Sequence, residues 1–60
     1  MDNYIVVDPL GRFVVNRAAT KFSAEFPDAL TMSRSEADKI ADRIEGVVWH
    51  VDEYAEAKAR

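Results

Sequence analysis

Two short apolar runs, Tyr4-Ile5-Val6-Val7 and Phe13-Val14-Val15, stand on either side of Asp8-Pro9-Leu10-Gly11-Arg12. Runs of this composition around such a cluster define a β-hairpin, which every other element must accommodate. Pro9 presets φ at the second turn position, the Asp8 carboxylate can bond back to nearby amides, and Gly11 tolerates the left-handed conformation of a bulged loop. With Pro9-Leu10-Gly11 as the loop, Val7 faces Phe13, Val6 faces Val14, Ile5 faces Val15 and Tyr4 faces Asn16. Side chains alternate across a strand, so Ile5, Val7, Phe13 and Val15 share one face. Tyr4, Val6, Asp8, Arg12, Val14 and Asn16 share the other. The first face is wholly apolar and is expected to meet a helix.

That helix begins at Ser33-Arg34-Ser35-Glu36. The spacing matches a capping box, in which the serine hydroxyl takes the amide three residues on and the glutamate reaches back. Ala37, Ile40, Ala41 and Ile44 follow at i, i+3, i+4 and i+7, an apolar stripe, and Gly46 stands where a left-handed C-terminal cap belongs. The predicted helix spans about Arg34 to Glu45. Between hairpin and helix, Ala19, Phe22 and Phe26 lie at helical spacing before Pro27, which predicts one or two helical turns whose aromatics close the core. Leu30-Thr31-Met32 is a candidate short strand.

Val47-Val48-Trp49-His50-Val51 is β-branched and aromatic and reads as a third strand. Period two sends Val47, Trp49 and Val51 toward the helix and leaves Val48 and His50 beside Tyr4, Val6 and Val14. Residues 52–60 are alanine-rich and charged, a terminal helix or a frayed tail. The expected fold is α+β: a three-stranded antiparallel sheet of spatial order 2-1-3, with one amphipathic helix packed on one face. The 60 residues carry no repeat or linker and are expected to form one domain.

A chain of this length holds a small core, and the usual reinforcements are missing: there is no cysteine, and His50 is the only histidine. Neither a disulfide nor a structural zinc site is expected. No apolar run approaches the roughly 18 residues of a membrane span, and no basic segment precedes an apolar one near Met1. The formal net charge of −3 argues against direct nucleic-acid binding and toward protein partners.

Single side chains supply little chemistry. His50 is the first candidate for acid–base work, but catalysis would need an orienting carboxylate and a nucleophile beside it, and the expected sheet face offers neither. Ser33 and Ser35 fall at cap and first-turn positions. Gly11 and Gly46 are too far apart for a phosphate cradle, and Asp8 lacks the alternating ligands of a calcium loop. No catalytic residue, cofactor or metal is expected. The acids are more informative. Nine of them lie between Ser23 and Glu56 against three bases, Arg34, Lys39 and Arg43. Asp38, Asp42 and Glu45 fall along one edge of the helix, followed by Asp52, Glu53 and Glu56. Such a row can keep a small domain in solution, or it can dock on a basic protein surface and steer association. A second candidate surface is the sheet face bearing Tyr4, Val6, Val14, Val48 and His50, unless the segment from Arg17 to Pro27 or the C-terminal tail folds over it. If open, it offers a homodimer interface.

The succession Tyr4-Ile5-Val6, Gly11-Arg12-Phe13, Ala29-Leu30-Thr31-Met32-Ser33 and Glu36-Ala37 with Ile40-Ala41 resembles short ββαβ accessory proteins encoded by phages and prophages. Inhibitors of bacterial defence, anti-CRISPRs among them, belong to that class. The resemblance implies a non-enzymatic accessory protein, and together with the acidic row the expectation is an inhibitor in the cytoplasm of a bacterial host that occupies a basic, nucleic-acid-binding surface of its target. A structural homodimer serving in assembly is the alternative expectation. No residue role is carried over, because such proteins share a scaffold and not a site.

Overall fold

Every residue of Tyr4–Val7 is apolar, and in the computed structural model, which describes residues 3–59, this strand (β1) runs through the interior of the sheet. β1 pairs antiparallel with β2 (Phe13–Val14) on one side and with β4 (Val47–His50) on the other, and β3 (Phe22–Ser23) pairs antiparallel with β2. The spatial order is β3-β2-β1-β4. Two helices complete the fold, α1 (Arg34–Ile44) and α2 (Val51–Lys58). The α+β class and the expected order of hairpin and returning strand therefore hold, with a fourth strand and a second helix added.

The hairpin register is the predicted one at Val7 opposite Phe13, but Tyr4 is bridged to Met32 and does not stand opposite Asn16. Gly11 takes a φ of 83°, and the Asp8 carboxylate accepts the amides of Leu10 at 3.1 Å and Arg12 at 2.6 Å. The Arg12 guanidinium closes on the same carboxylate, Nε at 2.9 Å and Nη2 at 2.8 Å. Burial pushes the Asp8 carboxyl toward a higher pKa, but the two amides and the guanidinium outweigh it and hold the group below its ordinary 3.8. A carboxyl whose folded pKa is depressed stabilises the fold above its unfolded pKa, and that contribution disappears as pH falls through the folded value. Asp8→Asn is accordingly expected to flatten the decline of thermal stability on acidification below about pH 4. Melting curves of both proteins across that range test this, and parallel declines would remove Asp8 as the cause.

The connection between hairpin and α1 is not helical as its aromatic spacing suggested. Asn16 organises a second hairpin: its carboxamide oxygen accepts the amides of Thr20 at 3.0 Å and Lys21 at 3.2 Å, and Val15 N–H donates to the Lys21 carbonyl at 3.1 Å. This loop carries Ala19 through a positive φ of 57° into β3. A single 3₁₀ turn follows at Phe26–Asp28. Met32 makes an isolated bridge with Tyr4, so the suggested third segment is one residue of pairing.

Ser33 caps α1 as expected, its hydroxyl accepting the Glu36 amide at 3.3 Å, but the Glu36 carboxylate forms an ion pair with Arg17 and does not return to the cap. The left-handed C-terminal residue is Glu45, at φ 58° and ψ 36°, one position before the glycine expected there. Gly46 serves a different purpose. A Cβ on it would stand 2.7 Å from the Val7 carbonyl oxygen and 3.1 Å from Val6 Cγ1, so the turn out of α1 passes directly over β1. Of the two expectations for the C-terminal stretch, the terminal helix holds as α2, and Val51 opens that helix instead of ending the strand.

The sheet is covered on both faces, and the larger correction concerns which face α1 takes. Alternation sorts the side chains as predicted, but α1 packs through Ala37, Ile40 and Ala41 on Val6 and Val14, with Tyr4, Val48 and Ile44 at the margin. The face bearing Ile5, Val7, Phe13 and Trp49, expected under α1, is covered by Tyr54 of α2 and by Phe26. The reason is thickness. Two alanines facing valines let a helix backbone approach the sheet closely, whereas Phe13 and Trp49 fill the layer above their face and leave room for side chains reaching in from shorter elements.

Candidate interaction groove

α1 ends where β4 begins, and between them runs a shallow open groove of about 630 Å³. Its lining is Asp38, Ala41, Asp42 and Glu45 from α1, then Gly46, Val47 and Val48. Three of the six sequence-predicted acids are thus brought together. The helix period places Asp38, Asp42 and Glu45 at i, i+4 and i+7, and the close passage of Gly46 over β1 holds their edge beside the strand. Val47 is 56% exposed, one of two large apolar side chains so placed among the described residues.

Three of the arginines are occupied elsewhere. Arg12 is paired with Asp8, Arg17 with Glu36, and Arg43 Nη2 donates to the Ala18 carbonyl at 3.3 Å on the opposite side of α1. Arg34 approaches the row from its N-terminal end, 4.0 Å from Asp38, with its guanidinium 5.9 Å from the centroid of the Tyr4 ring. Among the described residues, no basic one lines the groove itself. Carboxylates one helical turn apart repel by about 0.2–0.5 kcal/mol per pair, a cost that this edge of α1 bears without compensation from within the groove.

The other predicted acids lie apart from this site. Asp52 and Glu53 occupy the first turn of α2, where negative charge suits the helix dipole, and Glu56 follows on the same helix. None of the three lines the groove.

The proposed open sheet face is not open. Val6 and Val14 are 0% exposed beneath α1, and Tyr4 and Val48 are partly buried against the same cluster. His50 stacks edge-on against Tyr4, ring centroids 5.2 Å apart. Its Nδ1 accepts the Asp52 amide at 3.1 Å, making His50 the N-cap of α2. That acceptor role gives the imidazole a structural task. A homodimer through this face would have to displace α1. Sequence reasoning put the strand from Val47 at a sheet edge through the order 2-1-3, but missed that the acids lie along it, because it gave Val47 to the core and set the helix on the other face.

No protein-family model, curated protein or solved structure matches this chain. Among the described residues, no helix is long and apolar enough to cross a membrane, and no group of three His, Asp or Glu side chains is placed to hold a metal ion.

Proposed function

We propose that this chain is a small, non-enzymatic protein-binding module whose working surface is the acidic groove between α1 and β4. The observation that carries the reading is the lining: Asp38, Asp42 and Glu45 stand along the edge strand that begins at exposed Val47, and none of the residues lining the groove is basic. Such a surface complements a basic one, accelerates encounter with it and rejects acidic partners. Surfaces that bind nucleic acid are basic for the same electrostatic reason. An inhibitor that occupies such a surface in a bacterial host fits both the groove and the resemblance to phage-encoded accessory proteins.

Charge reversal tests the proposal. Immobilised wild-type protein is expected to retain a partner from host lysate that salt releases and that DNA or RNA displaces. The triple variant Asp38→Lys, Asp42→Lys, Glu45→Lys is expected to bind that partner at least about tenfold more weakly while keeping its circular dichroism, because all three side chains are exposed. Equal retention by the triple variant would exclude the groove as the working surface.

A further inference from the structure

The last strand of the sheet presents unpaired backbone to this groove. Tyr4 exchanges both backbone bonds with Met32, at 3.0 and 2.9 Å, and Asp8 N–H donates to the Arg12 carbonyl at 2.7 Å. Tyr4, Val6 and Asp8 therefore direct their backbone groups toward the β2 side, and Ile5 and Val7 toward β4. Asn3 continues this pattern, its carbonyl accepting Val51 N–H at 2.8 Å. In the observed register, Ile5 opposite Trp49 and Val7 opposite Val47, the residues of β4 bonded to β1 are Val47 and Trp49. Val48 and His50 consequently point their backbone groups outward, past the end of the sheet. The His50 carbonyl is taken by the first turn of α2, which leaves Val48 N–H, Val48 C=O and His50 N–H facing away.

Edge strands are ordinarily protected by proline, lysine, a bulge or a covering element. β4 reads Val-Val-Trp-His and has neither proline nor lysine. Its protection is electrostatic and one-sided, because the α1 face of the edge carries Asp38, Asp42 and Glu45 while the other face carries Val47 and Trp49. A second copy of this chain pairing here would bring two such acidic rows together, which like-charge repulsion opposes. An extended segment with Lys or Arg on its α1 side and apolar residues on the other is complementary at every position.

We infer that β4 is a strand-addition site: an extended segment of a partner protein, basic and apolar at alternating positions, joins the sheet beside Val48 and His50 with its cations over Asp38, Asp42 and Glu45. This rests on the groove reading above and adds the conformation of the partner and the bonds that hold it.

The probe is a synthetic peptide of about six residues, the ordinary length of a strand, alternating lysine and valine. Controls are an alternating glutamate and valine peptide and a lysine-valine peptide N-methylated along one edge. Saturation with the probe is expected to slow hydrogen exchange at the Val48 and His50 amides by about tenfold or more, and neither control should do so. His50 offers a clean variant, because its φ of −75° already suits proline. His50→Pro and His50→Ala both remove the ring, and only the first removes the outward N–H. The proline variant is expected to bind about tenfold more weakly than the alanine variant.

If the probe binds and the charge-reversed triple variant releases it, but the two amides stay unprotected and both His50 variants bind alike, strand addition is wrong and the groove reading stands. Failure of the wild-type protein to bind the probe overturns strand addition, and the groove reading is then decided by the triple variant's retention of the host partner. Sedimentation showing a dimer that His50→Pro dissociates would assign the edge to a second copy and overturn the inference.

Discussion

Tyr54→Ala is expected to leave the chain unfolded at room temperature. Tyr54 is 9% exposed and is the hub of an aromatic cluster, its ring centroid 5.3 Å from Phe13, 4.9 Å from Phe26 and 5.5 Å from Trp49. Truncating a buried aromatic to alanine costs about 3–5 kcal/mol, and a single core in a chain this short rarely supplies more than about 3–5 kcal/mol in total. The loss equals the whole stability. Its readout is the fluorescence of Trp49, the only tryptophan, which moves to the emission of a solvated indole as the far-ultraviolet dichroism collapses. Tyr54→Phe keeps the three ring contacts and is expected to remain folded. A Tyr54→Ala protein with native dichroism and tryptophan emission would show that Ile5 and Phe13 hold their face of the sheet without α2.

Gly46→Ala follows in size, with an expected cost of about 1–3 kcal/mol, the range for forcing an extra carbon into a packed site. The new Cβ would stand 2.7 Å from a backbone oxygen, that of Val7, which cannot swing aside as a side chain can. α1 and β4 would have to separate from β1 together. Urea denaturation measures the loss, and amide exchange should show β4 opening first. Gly11→Ala is the useful contrast: nothing lies within 4 Å of its Cβ position, and its penalty comes only from the φ of 83°. If both substitutions cost the same, close passage over β1 is not what selects glycine at position 46.

Both predictions come from parts of the molecule that sequence reading assigned otherwise, and the reasons are physical. The residues from Asp52 onward read as a terminal helix or tail because alanine and charge give helix propensity without a sustained apolar stripe, and one buried tyrosine supplies no period. Gly46 read as a cap because glycine after an amphipathic run usually is one. Glu45 takes the left-handed conformation at some cost, so that the glycine remains available for the contact with Val7. β3 escaped notice because two residues carry no alternation, and Asn16 was the only local sign of the loop that leads to it.

The acidic row was legible because helix geometry alone places residues 38, 42 and 45 on one edge. Its neighbour was legible in part: the expected order 2-1-3 already put the strand from Val47 at the end of the sheet, but alternation gave Val47 itself to the interior, whereas it is exposed. The signal for two covered faces was present in Tyr4–Val7, an apolar strand without a polar alternate, which is the composition of a strand buried on both sides.

Local rules determined the hairpin and its register, the start of α1 at Ser33, the returning strand and the sorting of side chains onto two faces, because turn chemistry, capping and period two each act within a few residues. Which face receives α1, what covers the other, and the lie of the acidic row along the outer edge of β4 were decided by packing. Those outcomes depend on whether alanine meets valine or ring meets ring across the sheet, and such complementarity exists only between segments distant in the chain.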